Sequence, residues 1–117
     1  MRLRATLYAA FFVGLSMISA GALAGEELAR RRVVDIGCHN TDGTCYIKLD
    51  GSPFGSTLGW PVGVGNEFRF DNGDTTIGAR AYASFLAAFT SERPVTVHVE
   101  GCTSQGYPNL RFFTING

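Results

Sequence analysis

The stretch Thr75-Thr76-Ile77-Gly78-Ala79-Arg80-Ala81-Tyr82-Ala83-Ser84-Phe85-Leu86-Ala87-Ala88-Phe89-Thr90, followed by Ser91-Glu92-Arg93-Pro94 and then Val95-Thr96-Val97-His98-Val99-Glu100, decides the fold. Its apolar period changes from helical to alternating on either side of Pro94. In the first half Ile77, Ala81, Phe85 and Ala88 recur on one side, flanked by Tyr82, Leu86 and Phe89. That spacing predicts a helix over 75–90 whose broad apolar stripe lies on a sheet. Asp71-Asn72-Gly73-Asp74 supplies the preceding turn and the N-cap, and Pro94 ends the unit. In the second half three valines alternate with Thr96, His98 and Glu100, the pattern of a strand with one face buried.

Working outward, Glu67-Phe68-Arg69-Phe70 is a short strand with both phenylalanines inward. Further upstream, Val33-Val34-Asp35-Ile36-Gly37-Cys38 and Cys45-Tyr46-Ile47-Lys48-Leu49 flank an Asp42-Gly43 turn and make a β-hairpin. Val34, Ile36 and Cys38 share one face of its first strand, and Cys45, Ile47 and Leu49 one face of its second. Either a two-residue or a four-residue loop keeps those two faces together, and the four-residue register places Cys38 opposite Cys45. Between hairpin and third strand, Gly51 to Asn66 carries five glycines together with Phe54, Leu58 and Trp60, so it is an ordered loop and not a linker. After a loop from Gly101 to Asn109, Leu110 to Ile115 closes the chain as a fifth strand. This inventory predicts an α+β fold: a small five-stranded barrel or curled antiparallel sheet, with one helix between strands 3 and 4.

The chain has 117 residues, 10 basic and 10 acidic side chains and 45% hydrophobic residues, which excludes a multidomain enzyme. Its first residues read differently from the rest. Arg2 and Arg4 precede 21 residues without charge, 5–25, which include the small-residue site Ala22-Leu23-Ala24. Residues 1–24 are therefore expected to be a signal peptide and residues 25–117 the single folded domain, secreted or periplasmic, with no stable membrane span after cleavage. Gly14, Ser16, Ser19 and Gly21 dilute the apolar run, which argues against a retained anchor. Without Arg2 and Arg4 the count is 8 basic against 10 acidic, a net of −2. An exported acidic domain whose one basic cluster is Arg30-Arg31-Arg32 is not expected to bind nucleic acid.

An oxidising destination turns attention to Cys38, Cys45 and Cys102. Pairing Cys45 with Cys102 would close a long loop and contribute about 4 kcal/mol, against about 2.5 kcal/mol for Cys38 with Cys45, which sequence proximity favours. A metal site on Cys38, His39 and Cys45 is disfavoured, since adjacent strand residues point to opposite faces and no Cys-x-x-Cys spacing occurs. Neither a metal nor any other cofactor is expected.

Catalysis would need a nucleophile with its base, a carboxylate pair or a metal. His39 lies beside a turn and His98 faces away from the valines, so both read as surface residues. Glu67 and Glu100 could meet across neighbouring strands, but a chain of this size has little room for a glycosidase cleft. The glycines at 51, 55, 59, 63 and 65 are followed by no Gly-Lys-Ser/Thr and do not form a phosphate loop. The expectation is a non-enzymatic protein in which loops carry recognition. Trp60 and Tyr107 are placed to stack on a sugar face, while Ser104, Gln105 and Asn109 bond its hydroxyls.

The segment from Thr75 to Val99, with its small and aromatic helix and Ser-Glu-Arg-Pro-Val-Thr-Val-His-Val, resembles a set of small exported bacterial proteins. More loosely, together with Cys45-Tyr46-Ile47, it resembles the B subunits of subtilase-type and pertussis-type pentameric toxins. That resemblance implies an OB-like barrel, glycan binding and assembly into a homo-oligomeric ring. A protein of the bacterial envelope is the alternative partner, bound as by an inhibitor or structural factor. The exported set places a cysteine before the Phe-x-Phe strand as partner to the position of Cys102. Here Pro61-Val62-Gly63-Val64-Gly65 stands there, which leaves Cys38–Cys45 with a free Cys102 as the leading expectation and Cys45–Cys102 next.

Overall fold

Seven elements follow one another along the residues that the computed structural model describes, 25–59 and 65–117. They are β1 (Glu26–Arg31), β2 (Val33–Cys38), β3 (Cys45–Leu49), β4 (Glu67–Phe70), α1 (Thr76–Ser91), β5 (Val95–Cys102) and β6 (Pro108–Ile115). The expected signal peptide, 1–24, and Trp60 lie outside the described residues.

The architecture is α+β, one helix on a six-stranded mixed sheet ordered β1-β5-β6-β4-β3-β2. Laid flat, six strands would hold the two edges about 24 Å apart, at about 4.8 Å per neighbour. Yet β1 and β2, the two edge strands, are separated in sequence by Arg32 alone. One residue spans about 3.5 Å, so the sheet has to curl until its edges meet end to end at that arginine. Two irregularities produce the bend. Register shifts between Leu28 and Arg31 against β5, and between Val33 and Asp35 against β3, and Arg30 takes a left-handed φ of 51° between them. The corner is tied by the Arg32 amide on Asp50 Oδ1 at 2.8 Å and by Arg31 Nη1 on the Asp50 and Ser52 carbonyls at 3.1 and 2.6 Å. Curling leaves the sheet open, with no ladder between β1 and β2.

Inside the curl the valine strand behaves as its alternation predicts: Val95, Val97 and Val99 are fully buried beside Ile47, Phe68 and Phe85. Phe85 meets Phe68 edge-on at 5.4 Å and Phe113 at 4.5 Å, which joins α1 to both halves of the sheet. Cys38 pairs with Cys45 in the hairpin register and the two form a disulfide, leaving Cys102 free.

Several expectations are corrected. There are six strands and not five, and the helix falls between the fourth and fifth. The additional β1 was hidden because Leu28 is its only large apolar side chain and its only buried residue. The sheet is mixed, because β6 returns parallel to β4, touching it at Arg69 and Asn109. The bulge after Val33 turns that valine into the core and leaves Val34 at the surface. On α1 the buried stripe is Gly78, Ala81, Phe85 and Ala88, with Ile77 exposed, and the N-cap is Thr75, whose Oγ1 accepts from the Gly78 amide at 3.1 Å. Asn109 belongs to β6 and not to a loop.

Candidate functional site

The outer face of β2, β3, β4 and β6 carries two side-chain rows set by register. Gly37, Tyr46, Arg69 and Asn109 are successive cross-strand partners, and Asp35, Lys48 and Glu67 form the next row. Tyr46 lies across β2 because residue 37 is glycine: a Cβ there would stand 2.5 Å from the Tyr46 hydroxyl oxygen. Arg69 comes next, its guanidinium carbon 5.9 Å from the Tyr46 ring centre and 3.7 Å from that of Tyr107. The result is a ladder of tyrosine, arginine and tyrosine running from β3 across β4 to the turn that precedes β6.

What holds Arg69 flat is a set of hydrogen bonds from both neighbours. Its Nε donates to Glu67 Oε2 at 2.6 Å, in an ion pair whose two side chains are each only 14% exposed. Its Nη1 donates to Gln105 Oε1. The Gln105 Nε2 donates in turn to the buried Thr44 hydroxyl at 3.2 Å, and that hydroxyl donates to Asp71 Oδ1 at 3.3 Å. The other Asp71 oxygen accepts from the amide and hydroxyl of Ser104, both at 3.4 Å. The turn between β5 and β6 is closed by the Thr103 amide on the Tyr107 carbonyl at 2.8 Å. Tyr107 is thereby fixed above Arg69.

Of the expected site residues, Gln105, Tyr107 and Asn109 adjoin Arg69, Ser104 is linked to them through Asp71, and Trp60 lies outside the described residues. Their roles divide. Ser104 and Gln105 are exposed and also brace the turn through their hydrogen bonds to Asp71, Thr44 and Arg69. Tyr107 and Asn109 are half-buried, and no hydrogen bond joins the Asn109 side chain to a described residue. Tyr46, Glu67 and Arg69 were not expected as ligand contacts. Only strand alternation, which puts 46, 67 and 69 on the face opposite Ile47, Phe68 and Phe70, could have marked them.

The alternatives raised for catalysis and metal are rearranged by the fold. Glu67 and Glu100 do not meet, because β6 lies between their strands: Glu67 pairs with Arg69, and Glu100 with Arg111 at 3.5 Å. The sulfurs of Cys38 and Cys45 are bonded to each other, and His39 Nδ1 faces Asp42 Oδ1 at 3.4 Å. Asp42 also accepts the Thr44 amide, and these bonds hold its carboxyl below the ordinary value. His98 stacks on Phe112 at 4.8 Å. The three arginines sit at the bend, where Arg31 lies over Phe54 and Arg32 donates to the Glu92 carbonyl at 2.9 Å.

The 51–59 segment is fastened to β1 by Glu26. Its carboxylate accepts the amides of Gly55 at 2.7 Å and Thr57 at 2.9 Å, and the Thr57 hydroxyl. Burial opposes the charge of Glu26, but these donors and Arg31 outweigh it and hold the carboxyl below its ordinary value.

Among the described residues no helix is long and apolar enough to cross a membrane. Compared with family models, with curated proteins and with solved structures, the chain matches none.

Proposed function

We propose that this chain is an exported, non-catalytic binding module of OB-like topology that holds a glycan on the Tyr46–Arg69–Tyr107 face. The observation that carries the reading is where that ladder stands. Taking β1 and β2 as halves of one bent strand, β3 and β4 are the second and third strands and residues 103–107 the connection from fourth to fifth. These are the surfaces through which OB folds bind oligosaccharides and oligonucleotides. Tyrosine rings offer flat apolar faces with polar rims, and Asn109 offers an amide to hydroxyls. The disulfide fits an oxidising compartment, secreted or periplasmic. Resemblance to toxin B subunits adds assembly into a ring, with a catalytic subunit elsewhere.

A glycan array probed with the purified protein tests the reading. Retention of at least one glycan, lost in Tyr46→Ala and Tyr107→Ala variants that remain folded, is the expected result; Trp60→Ala tests the remaining expected contact. Retention of no glycan, with a monomeric mass by light scattering, sinks it.

One observation favours the second reading, an envelope protein as partner. A groove of about 310 Å³ runs between α1 and β6, past Phe70, Ala81 and Phe113, and Ile77 and Phe112 on its rim are 69% and 56% exposed. A partner bound there would be released by Ile77→Asp and left untouched by Tyr107→Ala.

A further inference from the structure

We infer that Glu67 is a specificity-determining residue that keeps the ligand face selective for uncharged sugars and against acidic ones. The inference rests on the glycan reading above and concerns the sign of charge that the face accepts.

Arg69 is the cation at the centre of the face, and an arginine on an aromatic platform ordinarily marks a site for carboxylate or phosphate. Here its charge is already matched. Glu67 lies on the same strand and the same face, accepts the hydrogen bond from Nε at 2.6 Å and is as little exposed as Arg69 itself. The adjoining pair, Lys48 with Asp35 at 4.0 Å, is also balanced. Asp71 is held against the turn by Ser104 and Thr44 and adds one uncompensated negative charge beside Gln105. The titratable side chains around Arg69 therefore sum to a slight negative charge, and a ligand carboxylate would meet Glu67 and Asp71 as like charges.

Hydrogen-bonding capacity survives this neutralisation. Arg69 has five N–H donors, of which Nε serves Glu67 and one on Nη1 serves Gln105; Nη2 bonds no described residue. A neutral hydroxyl can accept from Nη2 and Asn109 while its ring lies along a tyrosine, without carrying charge into the face. The same accounting disfavours a polyphosphate strand, the other ligand class of this topology.

The test uses matched sugar pairs that differ by a carboxylate: lactose with 3′-sialyllactose, N-acetylglucosamine with N-acetylmuramic acid, and methyl glucoside with methyl glucuronide. Each is titrated into the purified protein and into Glu67→Gln, which keeps an acceptor for Nε and removes the charge. The wild type should bind the neutral member of its best pair about tenfold more tightly than the acidic one, with affinity independent of salt. Glu67→Gln should narrow or reverse that preference and make acidic binding salt-dependent. A wild type that prefers the acidic sugar, or an unchanged ratio in a folded Glu67→Gln, overturns the inference and leaves the glycan reading standing. No binding of any sugar by either protein overturns both. The wild-type ratio and its salt dependence decide the matter even where the variant fails to fold.

Discussion

Replacing Gly78 by alanine should reverse the usual effect of that change in a helix. At an ordinary interior position alanine is favoured over glycine by about 1 kcal/mol. At 78 a Cβ would overlap the Asn72 carbonyl oxygen outright and stand 2.8 Å from the Gly73 Cα. Neither atom is free to rotate away. The Asn72 carbonyl accepts from the Thr75 amide at 2.9 Å and from the Thr75 hydroxyl at 2.7 Å, and the Gly73 amide donates to the Gly43 carbonyl at 2.7 Å. The first turn of α1 must then back off by about 1.5 Å to restore normal contact. Overpacking of this kind costs about 1–3 kcal/mol, and pulling Thr75 from its cap adds about 1 kcal/mol. Set against the propensity gain, the net loss is about 1–3 kcal/mol, or a Tm lower by about 5–20 °C for a domain of this size. Thermal unfolding followed by circular dichroism, checked by urea titration, measures it. A Gly78→Ala protein that melts at or above the wild type would refute the docking of the helix start on the 72–73 turn.

Three further outcomes are expected. Reducing the disulfide, or changing Cys38 and Cys45 to serine, should cost about 2.5 kcal/mol in urea unfolding, whereas Cys102→Ser should leave the midpoint in place; equal effects would reject the pairing. Glu26 titrates in the folded protein below its ordinary 4.5, so its clasp adds stability above that pH and loses it as pH falls through the lower folded value. Melting from pH 7 to 3 should therefore fall more steeply for wild type than for Glu26→Gln, and parallel curves would exclude the clasp. Glu92 caps α1 with a φ of 58°, where glycine is at ease, so Glu92→Gly should gain about 1 kcal/mol less the small loss of an exposed pair with Arg32; an unchanged or lower urea midpoint would argue against strain there.

Elements with their own periodicity were legible in the sequence. The three valines, Phe68 and Phe70 lie as their alternation requires, and Cys38 stands opposite Cys45, although the bulge after Val33 breaks the alternation of the first hairpin strand. Features that depend on partners far along the chain were not. The strand character of Glu26-Glu27-Leu28-Ala29-Arg30-Arg31 comes from pairing with β5, about 70 residues away, and from one leucine entering the core. Ile77 carries the stronger hydrophobic signal, yet Gly78 takes the buried position because the turn at Asn72 crowds that side of the helix. The proposed ligand face shows the same division. Tyr107 and its neighbours stood out through local turn chemistry, whereas Tyr46 and Arg69 join them only through the register of β3, β4 and β6, which no single stretch encodes.

Resonance mapping of the labelled protein by NMR, during titration with the neutral sugars named above, tests most directly whether the outer face of β3, β4 and β6 is where ligand sits. Shifts concentrated at Tyr46, Arg69, Tyr107 and Asn109, with Ile77 and Phe112 unmoved, are the expected outcome. Shifts confined to the groove between α1 and β6, or an unchanged spectrum at saturating sugar, would contradict it.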